Sequence, residues 1–555
     1  MRANSTELAS AADDTPTRVA VDLRRFPWIR RLAADYAYDF HGVAPFFSGD
    51  PAEWAAWVPV ISRTQAHARR RADIAAVIAG QQARRGAPEA ARAAGAKLAN
   101  TETVAIVTGQ QAGLFGGPLF TLLKALTALK LAARVSQEHH VPCVAIFWID
   151  AEDHDWDEVR SCTVFDDSIT PRTVSLPPHS ADEPLPVAET RLDASITAAL
   201  DDLERLLPAT EFRPEIMATL RRTYAPGVGM ADAFGAWLEQ ALGDRGLVVF
   251  DSSDPAAKPP ASRIFTQELS MPGETARRAA QAGSDLVARG YHSQVHAQHD
   301  SPALFHLHPG RRSIRQQDGY FLVGEERVAM AAVQQEAAER PAGFSPNVLL
   351  RPIVQDTLFP TVCYVAGPNE LAYLGQLRGV YEHFGVPMPL MYPRATATLL
   401  DSAAMRFLTR YDVPLESLQA QDEAALNALL TAQIPQSVES AFAEASAVID
   451  AQMARLIEAI PAIDPTLENT ARSTLGRMQH DLHTLHGKMI SAAKRRDETL
   501  RRQFIRTRAL AFPDGHAQER TIGFVSFLNE YGPSLVDRLD VELPLELGRH
   551  WIITI

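Results

Sequence analysis

Residues 104–159 limit most strongly how this chain can fold. They contain an apolar β-branched run at 104–107, a glycine-dense turn, a helical pattern that begins near Leu119, and a second apolar run at 143–149. This order is typical of a βαβ unit, in which a right-handed crossover brings both strand ends to the same sheet edge. Ligands of open α/β sheets bind at that carboxyl edge. We therefore expect a ligand site there.

Three later apolar runs resemble buried strands and alternate with helical patterns. They lie at residues 246–250, 361–365 and 388–392. Strands that alternate with helices predict an α/β fold, here a Rossmann-like doubly wound parallel sheet with connecting insertions. The insertion at about 161–245 is expected to be irregular as far as residue 190, where prolines are frequent, and helical beyond it. The insertion at about 265–350 is expected to be mixed, with a small antiparallel sheet.

The C-terminal third has a different pattern, because apolar residues recur there at three- and four-residue spacing. Two such stretches, 438–460 and 475–492, are separated by the turn-forming Ile463-Asp464-Pro465. This spacing predicts an antiparallel coiled-coil hairpin. An isolated hairpin leaves apolar surface exposed, so we expect a homodimer that forms through the coiled coil. The predicted organisation is a flexible tail at 1–20, the Rossmann-like core at 21–400, the arm at 401–511, and a segment at 512–555 that returns to the core.

Composition excludes several classes of function. The 555 residues carry a formal net charge of −13, which argues against a nucleic-acid partner. No apolar run approaches the ~20 residues needed to span a bilayer, and the N-terminal residues lack the apolar core of a signal peptide. Cys143, Cys162 and Cys363 have no zinc-site spacing and are expected to be reduced thiols. We therefore expect a cytoplasmic protein with no membrane partner.

The glycine-dense turn is a candidate anion site. It contains neither the Walker A pattern nor GxGxxG, so it matches no standard nucleotide motif. Glycines allow a ligand to approach the backbone closely, and a helix N-terminus offers free N–H groups to an anion. The candidate binding residues are Gly109, Gln110, Gln111, Gly116 and Gly117. The alternative is a tight strand-to-helix turn without a ligand.

The second strand of the βαβ unit ends in a cluster of ionisable residues, Glu152, Asp153, His154 and Asp155. Neighbouring carboxylates repel one another, which raises a pKa or recruits a cation. A histidine among them would titrate near neutral pH and could act as an acid or a base. These four residues are therefore the candidate catalytic group, and no tightly bound metal is predicted. The alternative is a solvated helix start, where acidic residues are common.

Six further candidate binding residues lie near predicted strand or helix ends. They are Asn347, Arg351, Gln355, Asn369, Glu370 and Arg394. Arg351 could bind a carboxylate with two hydrogen bonds or could form a structural salt bridge. Asn369 and Glu370 could contact a substrate amine or could only cap a helix. Five histidines lie between residues 292 and 308, but alternation in edge strands explains them as well as a metal site does.

Five longer motifs occur in order along the chain after about residue 20. They are TGQQAGLFGGPLFTLLKALTALKLA, FWIDAEDHDWDEV, FSPNVLLRPIVQDTLFPTVCYVAGPNELAYLGQL, MPLMYPR and FPDGHAQER. Together they resemble the bacillithiol-biosynthesis cysteine-adding enzyme family, BshC. The resemblance implies a ligase that joins L-cysteine to glucosaminyl-malate through an amide, the last step of bacillithiol biosynthesis, and it also implies a dimer.

The core of that family is similar to class I aminoacyl-tRNA synthetases and to pantothenate-synthetase-like ligases. Those enzymes carry HxGH after the first strand, where this chain has Leu114-Phe-Gly-Gly117 without a histidine. A partial match to their KMSKS loop begins at Lys488, but it lies in the predicted coiled coil and is interpreted as coincidence. Amide formation requires an activated carboxyl group, so ATP with Mg²⁺ is a candidate cosubstrate. The alternative function is a non-catalytic dimeric binding protein for a nucleotide or metabolite, with a relict Rossmann site.

Overall fold

The computed structural model of the protein describes residues 16–153, 155–179, 185–295, 301–307, 310–432, 436–496 and 498–555. The chain divides into two compact units. The larger unit comprises residues 17–399 and 518–553, and the smaller is formed mainly by residues 400–517. The change of unit at 517–518 lies beyond the predicted limit of the arm at 511. Within the described parts of the chain, no helix combines the length and apolarity needed to cross a membrane.

The larger unit is built on a five-stranded parallel sheet. Its strands are β1 (Val104–Gln110), β2 (Cys143–Ile149), β3 (Val248–Asp251), β4 (Thr361–Ala366) and β5 (Leu390–Pro393). Their order across the sheet is β5-β4-β1-β2-β3, and all four pairings are parallel. Buried apolar residues fill the strands, as expected for a parallel sheet covered on both faces. The Rossmann-like doubly wound fold is confirmed.

Helices surround this sheet. Those of eight or more residues are Arg31–Tyr38, Trp57–Ala66, Arg71–Arg85, Glu89–Lys97, Leu119–His139, Ser195–Leu206, Arg213–Thr223, Met230–Leu242, Ser262–Ser270, Glu274–Ala288, Met330–Glu339, Arg351–Leu358, Phe524–Tyr531 and Ser534–Glu542. Shorter helices are Phe40–Val43, Trp156–Val159, Glu370–Leu374, Arg378–Phe384 and Gln518–Thr521. The helix Leu119–His139 connects β1 to β2, and residues 121–128 of it are all buried. This helix therefore lies inside the unit, with its N-terminus at the carboxyl edge.

The larger unit also contains antiparallel sheets. The predicted insertion sheet is present as Leu304–Leu307, Arg311–Gln317, Tyr320–Val323, Glu326–Ala329 and Phe344–Pro346. The strand Arg549–Thr554 lies between Arg18–Asp22 and Thr396–Leu400 in a three-stranded sheet. The chain thus returns to the core after the arm.

The smaller unit is helical. Its helices are Ser402–Tyr411, Ala424–Ala432, Gln436–Ala459, Glu468–Arg496 and Glu498–Ala511. The helices Gln436–Ala459 and Glu468–Arg496 pack against each other, as the three- and four-residue spacing predicts. The ring of Phe442 stacks on that of His486 at 4.5 Å between centroids, and His486 also contacts Glu439 at 2.9 Å. The predicted coiled-coil arm is confirmed.

Several local predictions are wrong. Residues 161–190 were predicted to be irregular, but Ser161–Phe165 pairs with Pro171–Ser175 in a hairpin, because Pro171 lies at a strand end where no ladder N–H is required. Residues 18–20 of the predicted flexible tail belong to a strand. Residues 1–15 of that tail lie outside the described residues.

Candidate active site

The carboxyl ends of the parallel strands bring polar groups from distant parts of the sequence together. Gln110 ends β1, and its carbonyl oxygen accepts a hydrogen bond from the Asp150 N–H, just beyond β2, at 3.0 Å. Arg394 follows β5 in the same way, and its N–H donates to the Ala366 carbonyl oxygen of β4 at 2.8 Å. Polar side chains predicted from separate stretches of sequence therefore share one sheet edge.

Two cavities open at this edge. The larger measures about 420 Å³ and lies at the N-terminus of the helix Leu119–His139, while the smaller measures about 210 Å³ and reaches the insertion sheet. Four residues line both cavities, and we call them the shared wall: Gln110, Gln111, Glu158 and Glu370. All four carry hydrogen-bond acceptors. The two cavities are therefore separated by an acceptor-rich polar boundary.

The larger cavity is lined by three cationic side chains, Lys124, Arg394 and Arg520, and we call it the basic cavity. All three lie around one ring. The Lys124 Nζ is 6.0 Å from the centroid of Phe120, and the guanidinium carbons of Arg394 and Arg520 are 5.4 and 5.6 Å away. Against these three positive charges stand the two carboxylates of the shared wall. Lys124 is paired with Glu370 and Arg394 with the nearby Glu519, so Arg520 is the cation best placed to bind an anionic ligand.

Arg394 is held in place by a buried partner. It donates to the two carboxylate oxygens of Glu519 at 2.9 and 2.7 Å, and the side chains are 2% and 7% exposed. Burial alone would raise the pKa of Glu519, but the adjacent Arg394 guanidinium outweighs it, so that pKa is lowered. This bidentate pair fixes the guanidinium plane at the cavity wall.

Lys124 is one of the cavity-lining residues that sequence reasoning missed, as are Arg311 and Arg520. It is 3% exposed, and its Nζ donates to the Gly109 carbonyl oxygen at 2.8 Å, to Gln110 Oε1 at 3.1 Å and to Glu370 Oε2 at 2.9 Å. Burial lowers the pKa of Lys124, while Glu370 opposes this effect. The available signal was a lysine in the mostly apolar first half of the helix Leu119–His139. This one ammonium group joins the ends of β1 and β4.

Glu370 is the part of the shared wall that Lys124 fixes. Its carboxylate also accepts a hydrogen bond from the Gly367 N–H and lies 3.4 Å from the Tyr364 hydroxyl. Burial would raise the pKa of Glu370, but the charge and hydrogen bond of Lys124 and the Gly367 N–H outweigh it, so that pKa is lowered. Glu370 is therefore an ionised, oriented carboxylate that faces both cavities.

The smaller cavity has the opposite charge balance, and we call it the acidic cavity. Its charged residues are Asp150, Asp153, Glu158, Glu370, Arg311 and Arg351. Arg311 donates to Asp153 at 3.1 Å, and the Nε of Arg351 lies 3.7 Å from Asp150. Burial raises the pKa of Asp150, and the nearby Arg351 opposes this. The lining thus carries two more acidic than basic groups.

The structure places the described members of the predicted catalytic cluster in different surroundings. Asp153 lines the acidic cavity, whereas Glu152 is 5% exposed, forms an ion pair with Lys258 and lines neither cavity. Asp155 accepts a hydrogen bond from the Glu158 N–H at 3.2 Å and so caps a short helix. His154 lies outside the described residues. Of the three described members, the structure therefore brings only Asp153 to a cavity.

The glycines of the turn are largely explained by packing. A Cβ on Gly116 would lie 2.2 Å from the Phe524 ring, so this residue faces the core rather than a cavity. A Cβ on Gly109 would lie 2.8 Å from the Trp148 carbonyl oxygen. Gly117 lines the basic cavity and has a φ of 74°, a conformation that favours glycine. Next to it, the buried Thr121 Oγ1 has no hydrogen-bond partner among the described atoms.

The remaining predicted residues have mixed positions. Asn347 lines the acidic cavity, but its Oδ1 accepts the N–H groups of Leu349 and Leu350, as a cap before the helix Arg351–Leu358. Gln355 is 1% exposed and connects Arg351 to Asp356. Asn369 lines the basic cavity. Among the described residues, no three His, Cys, Asp or Glu side chains are grouped as metal ligands.

Comparison with known families identifies the group of proteins to which this site belongs. The model described as the bacillithiol biosynthesis BshC N-terminal Rossmann-like domain matches residues 20–395, and that described as the BshC C-terminal coiled-coil domain matches residues 397–555. The chain belongs to the BshC family. The family resemblance of the sequence motifs is thereby confirmed.

Relatives in this family are similar over most of their length. A protein of Salinibacter ruber is 32% identical over 94% of this chain and 96% of its own length. One of Symbiobacterium thermophilum is 33% identical over 87% of this chain and 89% of its own length, and one of Chlorobaculum tepidum is 32% identical over 80% and 81%. Each bears the name "Putative cysteine ligase BshC".

Proposed function

We propose that this protein is a carbon–nitrogen ligase that joins the carboxyl group of L-cysteine to the amine of glucosaminyl-malate in bacillithiol biosynthesis. The names of the BshC relatives support cysteine as a substrate, and the family resemblance supplies the sugar–malate partner. The structural observation that carries the proposal is the pair of cavities that share one polar wall. A condensing enzyme must bind two different substrates so that their reacting groups meet.

The shared wall suits the amine that attacks in such a reaction. As the C–N bond forms, the bond from the carboxyl carbon to its leaving group breaks and the amine loses a proton. Glu370 is ionised and faces both cavities, so it can accept a hydrogen bond from that amine and orient it for attack. Its lowered pKa makes it a weak base, so the proton that the amine loses passes to solvent at the open edge of the sheet. Lys124 acts as a positioning residue, because it fixes Glu370 against the end of β1. The guanidinium groups of the two cavities orient substrate anions.

The reaction also needs a co-reactant, because a free carboxylate does not react with an amine. A nucleoside triphosphate with Mg²⁺, such as ATP, is the proposed activating cosubstrate. The basic cavity suits its phosphates, because Lys124, Arg394 and Arg520 line it and the unpartnered Thr121 Oγ1 adjoins it. This turn has Leu114-Phe-Gly-Gly117 in place of the HxGH motif of the synthetases, so it offers no histidine to bind the phosphates.

A reconstituted reaction tests this function. The purified protein is incubated with reduced cysteine and glucosaminyl-malate, with and without ATP and Mg²⁺, and the products are identified by mass spectrometry. We expect an amide-linked thiol product that forms only with the nucleotide. Absence of product with ATP and with the other common nucleoside triphosphates would overturn the ligase proposal and leave a binding function.

We also propose that the protein acts as a homodimer through the coiled-coil arm. Among the described side chains of the two long arm helices, Gln436–Ala459 and Glu468–Arg496, four large apolar ones are 40–55% exposed: Val448, Leu456, Met478 and Leu485. A second arm would cover them in an isologous contact. We expect a mass in solution near twice 60.7 kDa. Leu456→Asp with Leu485→Asp should yield a monomer of unchanged helical content, and a monomeric wild-type protein at micromolar concentration would refute the dimer.

The proposed location is the cytoplasm. Cys143, Cys162 and Cys363 are free thiols, and burial raises the pKa of each. Unpaired, protonated thiols of this kind are typical of a reducing compartment.

A further inference from the structure

The opposite charge balance of the two cavities bears on which substrate enters which cavity. We propose that the acidic cavity is the amino-acid compartment, which binds a zwitterion. The basic cavity receives an anionic group of another reactant, either the malate carboxylates or the nucleotide phosphates. This inference rests on the proposed ligase function and assigns its substrates to subsites. In this assignment the carboxylate that Arg351 binds is that of the amino acid, because Arg351 lines the acidic cavity.

Charge is the first argument. Four carboxylates and two guanidinium groups line the acidic cavity, so a dicarboxylate or polyphosphate would face an excess of like charge. A ligand with an ammonium group reduces that excess. The cavity also offers partners for both ends of an α-amino acid, since Asp150 lies beside Arg351 and Asp153 beside Arg311. An ammonium group can contact the carboxylates while a carboxylate contacts a guanidinium.

Size is the second argument. The acidic cavity measures about 210 Å³, half of the roughly 420 Å³ of the basic cavity. A three-carbon amino acid is the smallest of the proposed reactants. A sugar–dicarboxylate or a nucleotide needs the larger space, and the larger space is also the one with the cations. Size and charge therefore lead to the same assignment.

The shared wall supplies the third argument. The Gln111 Nε2 donates to Asp153 at 3.1 Å, while its buried Oε1 has no hydrogen-bond partner among the described atoms. An unpaired buried acceptor is uncommon in proteins and fits a donor that a ligand brings. Gln111 lines both cavities, so a ligand amine that donates to its Oε1 would lie where the two cavities meet. Two ligands with reacting groups at this wall are within reach of each other.

Calorimetric titration of the full-length protein tests the assignment. Asp150→Asn removes a carboxylate of the acidic cavity, and Arg520→Gln removes a cation of the basic cavity that is exposed and makes no ion pair among the described residues. Each variant is titrated with reduced cysteine, glucosaminyl-malate and Mg-ATP. Loss of a hydrogen bond to a charged group changes affinity about tenfold or more. Asp150→Asn should lower the affinity for cysteine by that factor and the affinity for each of the other two ligands by less than about threefold.

Arg520→Gln should show the reverse pattern. Its affinity for cysteine should remain unchanged, and its affinity for one other ligand should fall about tenfold. A loss for glucosaminyl-malate would place the malate carboxylates in the basic cavity, and a loss for Mg-ATP would place the nucleotide phosphates there. Asp157→Asn is the matched acidic control, because Asp157 is 77% exposed, follows the same strand and lines neither cavity. Asp153→Asn serves as a second acidic-cavity variant if Asp150→Asn fails to fold.

Two fragments of cysteine test the wild-type protein directly. Cysteamine keeps the ammonium group and lacks the carboxylate, and 3-mercaptopropionate keeps the carboxylate and lacks the ammonium group. An acidic cavity should bind cysteamine more tightly, by about tenfold or more. Tighter binding of 3-mercaptopropionate, or loss of cysteine affinity in Arg520→Gln, would overturn the assignment.

The assignment and the ligase function can fail separately. If the wild-type protein forms the amide product while the two variants show the reversed pattern, the function stands and the assignment is wrong. If the variants show the expected pattern and no product forms under any condition, the amino-acid compartment stands and the ligase function is wrong.

Discussion

Two buried lysine–glutamate pairs lie near the same sheet edge and have different surroundings. Lys124 and Glu370 have side chains that are 3% and 26% exposed, and both line the basic cavity. Lys258 and Glu152 are 4% and 7% exposed and line neither cavity. In each pair the glutamate lies shortly after a parallel strand, and the lysine comes from a distant part of the sequence. Of these two pairs, only the first presents a carboxylate to the basic or the acidic cavity.

The contrast separates burial from function. Glu152 belongs to the acidic cluster that the sequence emphasises, yet its partner Lys258 holds it in the protein interior. Burial raises the pKa of Glu152 and Lys258 opposes this, so a shifted pKa accompanies a structural pair as readily as a binding group. Position at a cavity is therefore the observation that distinguishes Glu370. The predictions below test that distinction.

The largest expected effect is on stability. Lys258→Met leaves Glu152 buried without a partner, and breaking such a pair costs about 3–5 kcal/mol of the free energy of unfolding. Lys124→Met should cost less, about 1–3 kcal/mol, because water can reach the partly exposed Glu370 carboxylate. Urea unfolding measures both. The double variant Lys258→Met with Glu152→Leu should recover most of the loss, and equal costs for the two single variants would contradict the difference in burial.

The buried Arg394–Glu519 pair and its neighbour His550 extend the comparison to acid pH. Burial lowers the pKa of His550 to about 4 from 6.5. The unfolded chain therefore takes up a proton between pH 6.5 and pH 4 while the folded protein does not, so stability falls as pH decreases through this window. The loss is about 3 kcal/mol.

The control for this pH effect is a variant that cannot titrate. His550→Gln should flatten the dependence of unfolding free energy on pH between 6.5 and 4, measured by urea unfolding at a series of pH values. An unchanged slope in that variant would assign the acid sensitivity to other groups.

The smallest expected effect in free energy is on catalysis. Glu370→Gln removes the charge from the shared wall and should lower kcat/KM of the proposed ligase reaction by about 100-fold, equivalent to about 2.7 kcal/mol. The matched variant Glu152→Gln should lower it less than about threefold, because that carboxylate reaches neither cavity. Similar losses in both variants would remove the distinction between the two pairs.

The sequence predicted the central fold well because its strands are fully buried. Apolar runs without alternation are the pattern of a parallel sheet, and the predicted run at 143–149 coincides with β2 (Cys143–Ile149). The hairpin Ser161–Phe165 with Pro171–Ser175 was missed because prolines near it were interpreted as loop signals. In the mixed insertion, the helices Ser262–Ser270 and Glu274–Ala288 are separated at Met271–Gly273, where Gly273 adopts a positive φ of 83°.

The candidate site was harder to predict. Residues that directly follow strands, such as Asp150 and Arg394, lie at the carboxyl edge of the sheet, where ligands of open α/β sheets bind. Arg311 comes from the antiparallel insertion and Arg520 from the segment that follows the arm, and neither position follows from a local pattern. The acidic cluster was also misleading, because adjacent residues of a loop point in different directions. Tertiary packing decides which of them face a cavity.

The basic cavity has a consequence for the order in which the protein is made. Arg520 lines it and Glu519 fixes Arg394, so residues made after the whole arm complete a site begun near residue 110. Leu399 and Gln518, which hydrogen-bond to each other, are separated by 119 positions. At about 5–20 residues per second, a ribosome needs on the order of 10 s to cross that interval. During translation, the nascent Rossmann-like core therefore waits with this cavity incomplete while the arm emerges and folds.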